Sequence, residues 1–433
     1  MTDRTQIIID TLQQAFGDLM EGDPAAFRVK YRKMAADPFA FYRGTACLFY
    51  YDVTRREDPF VDERTSRIWI HGDSHAENFG TYMSSEGKLI FDVNDFDEAY
   101  VGHHTWDLMR FVASIALIGW QKALPEASVR DLIERYLRAY LDQVSYYADS
   151  DDESYEIGLD NASGPILALL EQARSTARVD GLDGMTEVHD GVRRFAEDAT
   201  TFWLDDDLRA RVEEAFAAYV ETIPEDKRMR AAVFYRVRDV VGKVGIGIGS
   251  AGLPKYSVLV EGHNEALDND VVLGMKQAQT PAVSMFVDYD DVERYFDNEG
   301  ERTVVSQRAL QAHTDPLLGW TTLDGEGYMV AEVSPYELDL GWDDIDDPEV
   351  MADVVEVLGR ATAKVQCTSD SDSDQTLVQF QVEEAIVAAL EGRHDELVEH
   401  MTSFALEYAE QTRDDHARFV EAFREGRLGV DPV

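Results

Sequence analysis

The chain is short of three things, and each shortage narrows what it can be. It has two cysteines, Cys47 and Cys367, which lie far apart and match no metal spacing. A disulfide framework is therefore excluded, and a reducing, cytoplasmic setting is the default. No run approaches the roughly 18–20 consecutive apolar residues that a membrane-spanning helix needs. The opening MTDRTQIIIDTLQQAFGDL reads as an acid-bearing amphipathic helix rather than a signal peptide, so no membrane partner is expected. Lysine is the third shortage, with 9 in 433 residues beside 31 arginines. These 40 bases face 85 acids, for a net charge of −45. Phosphate backbones are held by clustered Lys and Arg, so nucleic-acid binding is disfavoured. The acids are spread along the chain, which argues against an appended disordered tail. Such a balance suits a halophilic, salt-rich cytoplasm, where molar salt screens self-repulsion within about 3 Å. An acidic surface meant for one basic partner is the alternative. A monomer is expected.

What is present falls into an α+β, two-lobe organisation. Residues 1–66 read as an N-terminal helical segment. Residues 67–228 form a helical lobe opened by two short strands, RIWI and KLIFDV. The 3.6-residue apolar period from Trp106 to about Ala148 predicts two helices. Residues 149–162 read as an acidic loop. Helical patterns follow from 163 to 222, with turns near Gly181–Gly184. From 229 to 340 the texture changes to strand, Gly-rich turn, strand, turn, strand, and GYMVAEVSP is a further strand. Residues 341–433 read as helices completing the helical lobe, at 347–366 and 378–425.

Residues 71–80, HGDSHAENFG, contain H-G-D-x-x-x-x-N, and NDFDEA and WDL follow in order. This is the spacing of a phosphotransferase catalytic loop. One Asp orients or deprotonates an acceptor hydroxyl, while an Asn and a later Asp hold Mg²⁺ against nucleotide phosphates. Magnesium demands hard oxygen ligands and usually takes only one or two carboxylates from protein. NDFDEAYVGHHTWDLMRF resembles the corresponding segment of aminoglycoside phosphotransferase-like and choline kinase-like enzymes. That resemblance implies Asp95 as a metal ligand and Asp107 as a buried carboxylate bracing the loop. Asp73 is then the catalytic Asp, with Asn78 and Asp95 the metal residues. His71 is a catalytic candidate and His75 a second; for both, a hydrogen-bonded structural role competes. His103 and His104 read as exposed loop residues. The bland alternative is an Asx-rich turn satisfying its own backbone. A metallophosphoesterase would share G-D-x-H but also needs G-N-H-[DE] and G-H-x-H, which this chain lacks.

The second half supplies an ATP clamp. GIGSAG fits G-x-G-x-x-G through Gly247, Gly249 and Gly252, with Ser250 between them. A dinucleotide site would place a helix straight after the glycines; here strands follow, and the third carries Lys276. That order is the nucleotide-clamping lobe of protein kinase-like folds, where the loop covers the phosphates and the Lys pairs with them. The competing reading of Lys276 is a snorkelling strand lysine. The helix at 302–313 would position Lys276, with Glu301, Glu293 or Gln307 as its partner.

Seven segments match in order the family catalogued as domain of unknown function 2252. They are DPFAFYRGTACLFYYDVTRR, HGDSHAENFG, FDVNDFDEAYVGHHTWDLMRF, DVVGKVGIGIGSAG, VLGMKQA, SQRALQ and FALEYAEQTRDDHARF. The resemblance implies a protein-kinase-like bilobal fold, circularly permuted because the clamp lobe follows the catalytic loop, with ATP and Mg²⁺ as cofactors. It leaves the acceptor unnamed. Arg43 and Gly44 carry over by position; Arg43 would reach a phosphate or substrate anion, or tie the N-terminal helices to the loop. Gln277 stands where the family has Glu, Ala331-Glu332 where an Arg-Gln pair is expected, and Lys364 where a late helical His is expected. The expected activity is phosphotransfer to a hydroxyl. A regulatory pseudokinase and an AMP-transferring enzyme are the alternatives.

Overall fold

Six Asp-Pro pairs punctuate the chain, and several of them prove to be structural signals. In the computed structural model, which describes residues 3–150, 155–244, 249, 251–311, 313–370, 373 and 375–431, three of them start helices. Asp23, Asp37 and Asp347 accept hydrogen bonds from first-turn amides, while Pro24, Pro38 and Pro348 occupy the first helical position. A carboxylate satisfies amides that have no intrahelical partner, and proline has no amide to satisfy. In two others the Asp accepts from the amide two residues on: Asp58 from Phe60 and Asp315 from Leu317.

The N-terminal segment folds as four helices, Arg4–Gly22, Pro24–Met34, Pro38–Arg43 and Ala46–Val53. They share one apolar core with the helices His104–Gln121, Glu126–Asp149, Pro348–Cys367 and His394–Arg424. The N-terminal segment is thus part of the helical lobe's core. Two short strand pairs cap the lobe, Ile68–Ile70 with Tyr100–Gly102 and Phe79–Met83 with Leu89–Val93.

A second core lies under a six-stranded antiparallel sheet. Its strand order is Gly319–Leu323, Glu326–Glu332, Val271–Gln277, Lys255–Val260, Val237–Lys243, Thr201–Phe202. This core begins before residue 229, because the Asp206–Val220 helix packs on the sheet. The Tyr219 hydroxyl donates to the Leu317 carbonyl at 2.6 Å, and Thr321 Oγ1 donates to the Ala215 carbonyl at 2.7 Å.

The region 163–222 departs from the helical expectation. Helices cover Gly164–Ser175, Arg178–Met185 and Asp206–Val220, but Thr186–His189 and Val192–Phe195 form a hairpin. Its turn is Asp190-Gly191, with φ of 52° and 76°. Asp-Gly is a strong short-range hairpin signal because both residues take positive φ. Gly181 and Gly184 lie inside a helix rather than in a turn. His103 and His104 are not exposed loop residues either. His103 occupies the N-cap position of the His104–Gln121 helix, its ring stacked 4.1 Å from that of Trp106, and His104 is fully buried.

Candidate functional site

The His104–Gln121 helix is almost wholly buried, yet it carries Asp107, Arg110 and Ser114. Spacings of three and four put them on one helix face, and all three hold the loop after Ile70. Asp107 accepts from the amides of His71 at 2.9 Å and Gly72 at 3.0 Å. Ser114 Oγ accepts from the Ala76 amide at 3.1 Å. Arg110 grips Asp73 Oδ1 through Nε at 2.6 Å and Nη2 at 2.5 Å. The guanidinium itself lies over aromatic rings, 4.5 Å from the Tyr42 centroid and 5.2 Å from that of Phe49. Burial would lower the Arg110 pKa, but the charge of Asp73, together with Tyr42, Tyr50 and the hydrogen bond to Asp73, raises it and the group stays charged. Gly72 must be glycine. Its φ is +81°, and a Cβ would fall 2.0 Å from the Glu98 carbonyl oxygen.

Asp73 is thus pinned through one oxygen, with Oδ2 3.7 Å from His75 Nε2. His75 Nδ1 accepts from the Glu77 amide at 3.2 Å. Burial first, then the nearby Arg43 and Arg110, hold the His75 pKa well below the usual imidazole range, so it is neutral. The Asn78 amide nitrogen donates to the Asp73 carbonyl at 2.9 Å, which closes the loop on itself. His71 Nε2 donates to the Asn94 carbonyl at 2.9 Å and its ring packs on Phe96, so it joins the HGD and NDFD loops. It is not among the residues lining the cleft described below.

Along NDFDE, neighbouring side chains take different jobs. Asp95 has φ +55°, a left-handed conformation that Asp and Asn tolerate better than most residues. Its side chain is half exposed. Asp97 is buried and ion-paired with Lys276, whose ammonium lies 4.0 Å from Asp95 Oδ1. Burial would lower the Lys276 pKa, but Asp97 and then Asp95 raise it beyond its ordinary value. Glu98 accepts from the Ala282 amide at 2.5 Å. Its pKa is pushed up to about 7, chiefly by burial.

The partner of Lys276 is therefore Asp97, from the loop, rather than an acid of the following helix. Glu301 accepts from the Asp297 amide at 2.7 Å, Gln307 donates to Gln311 at 3.2 Å, and Glu293 is exposed. The Glu299–Leu310 helix contributes Arg302 instead. Its buried guanidinium donates to the carbonyls of Ala99 at 2.6 Å, Asp97 at 2.8 Å and Gln279 at 2.9 Å. Arg110, Ser114, Asp97 and Arg302 were not singled out from the sequence. The legible clue was polar residues at three- and four-residue spacing inside an apolar helix.

Gly247 and Ser250 lie outside the described residues. Gly252 has φ +78°, and a Cβ there would meet the Phe27 ring at 3.1 Å, so the end of the Gly-rich loop rests on the N-terminal helices. Gly249 shares a cleft of about 520 Å³ with Asp73, Asp95, Asp97, Glu98 and Arg43. Arg43 lines this cleft and is ion-paired with Glu77, so it ties the Pro38–Arg43 helix to the HGD loop. Of the three positions where the chain departs from the expected pattern, Gln277 donates to Glu326 at 3.3 Å. Glu332 pairs with Arg178, and Lys364 forms a buried ion pair with Asp92. Among the described residues no group of three or more His, Cys, Asp or Glu is arranged to hold a metal. A magnesium site completed by phosphates and water does not require one.

No helix among the described residues is long and apolar enough to cross a membrane. No curated protein and no solved structure matches the chain. The model of a family described as an uncharacterized protein conserved in bacteria (DUF2252) matches residues 22–422. The chain belongs to that family.

Proposed function

We propose that this protein is an ATP- and Mg²⁺-dependent phosphotransferase acting on a hydroxyl acceptor, built on a kinase-like fold with its lobes in permuted order. The observation that carries the reading is the shared cleft. Asp73 and Asp95 from the first half and Gly249 from the second line it together, and Lys276 reaches it through Asp97. The half-exposed carboxylate of Asp95 and the amide oxygen of Asn78 are hard donors, which fits Mg²⁺. Bound with ATP, the ion would neutralise phosphate charge as the γ-phosphoryl leaves.

The protein's own part is positioning. Arg110 fixes one oxygen of Asp73, so that the other is free to accept a hydrogen bond from an acceptor hydroxyl. A loose phosphoryl-transfer transition state asks for orientation more than for a strong base. Lys276, now held by Asp97 and near Asp95, is a cation available to phosphate oxygens, and Gly249 in the cleft wall would offer a backbone amide. The tight Arg110–Asp73 pair also favours a second reading, a nucleotide-binding protein without turnover.

Incubation with cell extract and ATP labelled in the α or γ position, in molar KCl, tests both. Transfer of γ-label to a small molecule or protein is the expected result. Transfer of α-label would make the enzyme an AMP transferase. Bound but unconsumed ATP would favour the regulatory reading.

A further inference from the structure

Lys30 lies on the Pro24–Met34 helix and is 3% exposed, yet it lines the same cleft as Asp73, Asp95 and Gly249. Its ammonium sits 3.7 Å from the centroid of the Phe16 ring and 5.3 Å from that of Phe27. No ion pair or hydrogen bond joins it to another described residue. Four other cations at the site each have a carboxylate: Arg43 has Glu77, Arg110 has Asp73, Lys276 has Asp97, and Arg302 has Glu299. Taking an ammonium out of water costs several kcal/mol unless a partner compensates, and aromatic faces return only part of that. In a chain with 85 acids and 40 bases, a buried lysine left without a counter-ion is anomalous.

We infer that Lys30 is the docking point for an oxyanion, phosphate or carboxylate, carried by the hydroxyl acceptor. The inference rests on the phosphotransfer reading and deepens it by naming the acceptor class: a small hydroxy compound with its own anionic group. Two observations place this anion on the acceptor rather than on the nucleotide. Lys30 belongs to the Pro24–Met34 helix, which provides none of the residues assigned to ATP. The carboxylates that act on it most are Glu98 and Asp73, the latter assigned to the acceptor hydroxyl, rather than Asp95 or Asp97. Of the acids lining the cleft, Asp73, Asp97 and Glu299 are each paired with a cation and Glu98 is held near half-protonation at neutral pH; Asp18, Glu21, Asp95 and Glu326 line it too, and molar salt screens their repulsion of an anion. Burial pulls the Lys30 pKa down to about 8, so an arriving anion would also restore its charge.

The experiment is competitive acylation of the full chain in molar KCl near pH 8, with limiting acetic anhydride and mass-spectrometric readout at Lys30. The probes are inorganic phosphate, acetate and Mg-ATP, each alone. A probe at ten times its dissociation constant leaves about one site in ten free, so modification should fall about tenfold. Protection by phosphate or acetate is expected, and the stronger of the two distinguishes the phosphate source from the carboxylate source. Protection by Mg-ATP alone would assign Lys30 to the nucleotide and overturn the inference. So would indifference to all three probes, or failure of Lys30 to react. Lys30→Met, which replaces a desolvated charge by an apolar chain, should melt no lower than wild type and lose phosphate or acetate binding while keeping Mg-ATP binding. Failure of Mg-ATP to bind wild type would remove the phosphotransfer reading and leave the oxyanion site standing. Oxyanion indifference in a protein that consumes ATP would do the reverse.

Discussion

Asp73 and Asp95 are both cleft carboxylates, but their surroundings assign them opposite tests. Asp73→Asn keeps an oxygen for Arg110, so the fold and Mg-nucleotide affinity should stay within a few-fold of wild type while turnover is lost. Asp95→Asn preserves a residue that tolerates positive φ but removes the charge a metal needs. It should abolish thermal stabilisation by Mg-ATP. If the two variants lose nucleotide stabilisation equally, the division of labour is wrong. Glu98 gives a pH test. Its folded pKa of about 7 stands above its ordinary 4.5, so between those values the folded state binds more protons than the unfolded one. Its contribution is then fully present below about pH 4.5 and is lost as pH rises through 7. Glu98→Gln should therefore gain stability relative to wild type between pH 5 and 8, by on the order of 1–3 kcal/mol. Denaturant melts at the two pH values measure it, and a pH-independent difference would show that Glu98 titrates normally.

At the scale of elements, the HGD loop is a ligand of the helix behind it. Asp107→Ala strands the buried amides of His71 and Gly72, at a cost of about 2–5 kcal/mol. Asp107→Asn retains one acceptor and should recover roughly half of that. Equal melting temperatures for the two variants would mean that the loop holds its shape without Asp107. This bracing explains what was legible in the sequence. Residues that keep one chemistry at one spacing, such as Asp73, Asn78 and Asp95, stand out in a linear reading. Their supports did not stand out, because Arg110 and Arg302 look like ordinary basic residues on amphipathic helices until the fold buries them. The strands around Lys276 were readable from β-branched runs and turns, whereas the Thr186–His189 hairpin was read as helix despite the Asp-Gly at its tip. The Lys276 partner was sought along the following helix, but tertiary packing delivered Asp97 from a loop far away in sequence.

For the whole molecule, charge dominates. A net −45 with few clustered bases repels itself at every point of the surface. Bridges such as Arg138–Asp395 and Arg135–Glu356 offset only part of this, because exposed pairs contribute about 0–1 kcal/mol each. The melting temperature should climb steeply with KCl between about 0.1 and 2 M, as the Debye length falls from about 10 Å to below 3 Å. Indifference to salt over that range would contradict a halophilic design.

The two cores differ in one further respect, which concerns the order in which a ribosome delivers them. The sheet core draws on one continuous stretch, from Val212 to Val330. The helical core is interrupted by it: Ile8 to Leu170 emerge first, a few members such as Ala282, Val283 and Leu310 come from within that stretch, and the Pro348–Cys367 and His394–Arg424 helices that cover them come last. A nascent chain must therefore carry the apolar faces of its first helices unburied while the whole sheet is made. Long-range closure of this kind slows folding and leaves surface open to aggregation. Chains arrested near residue 345 should show a protease-resistant sheet and a cleavable amino-terminal portion, with HGDSHAENFG still unformed. On that schedule HGDSHAENFG is among the first motifs translated and among the last to reach its folded shape, so a truncated product would lack the formed loop whatever its intact residues.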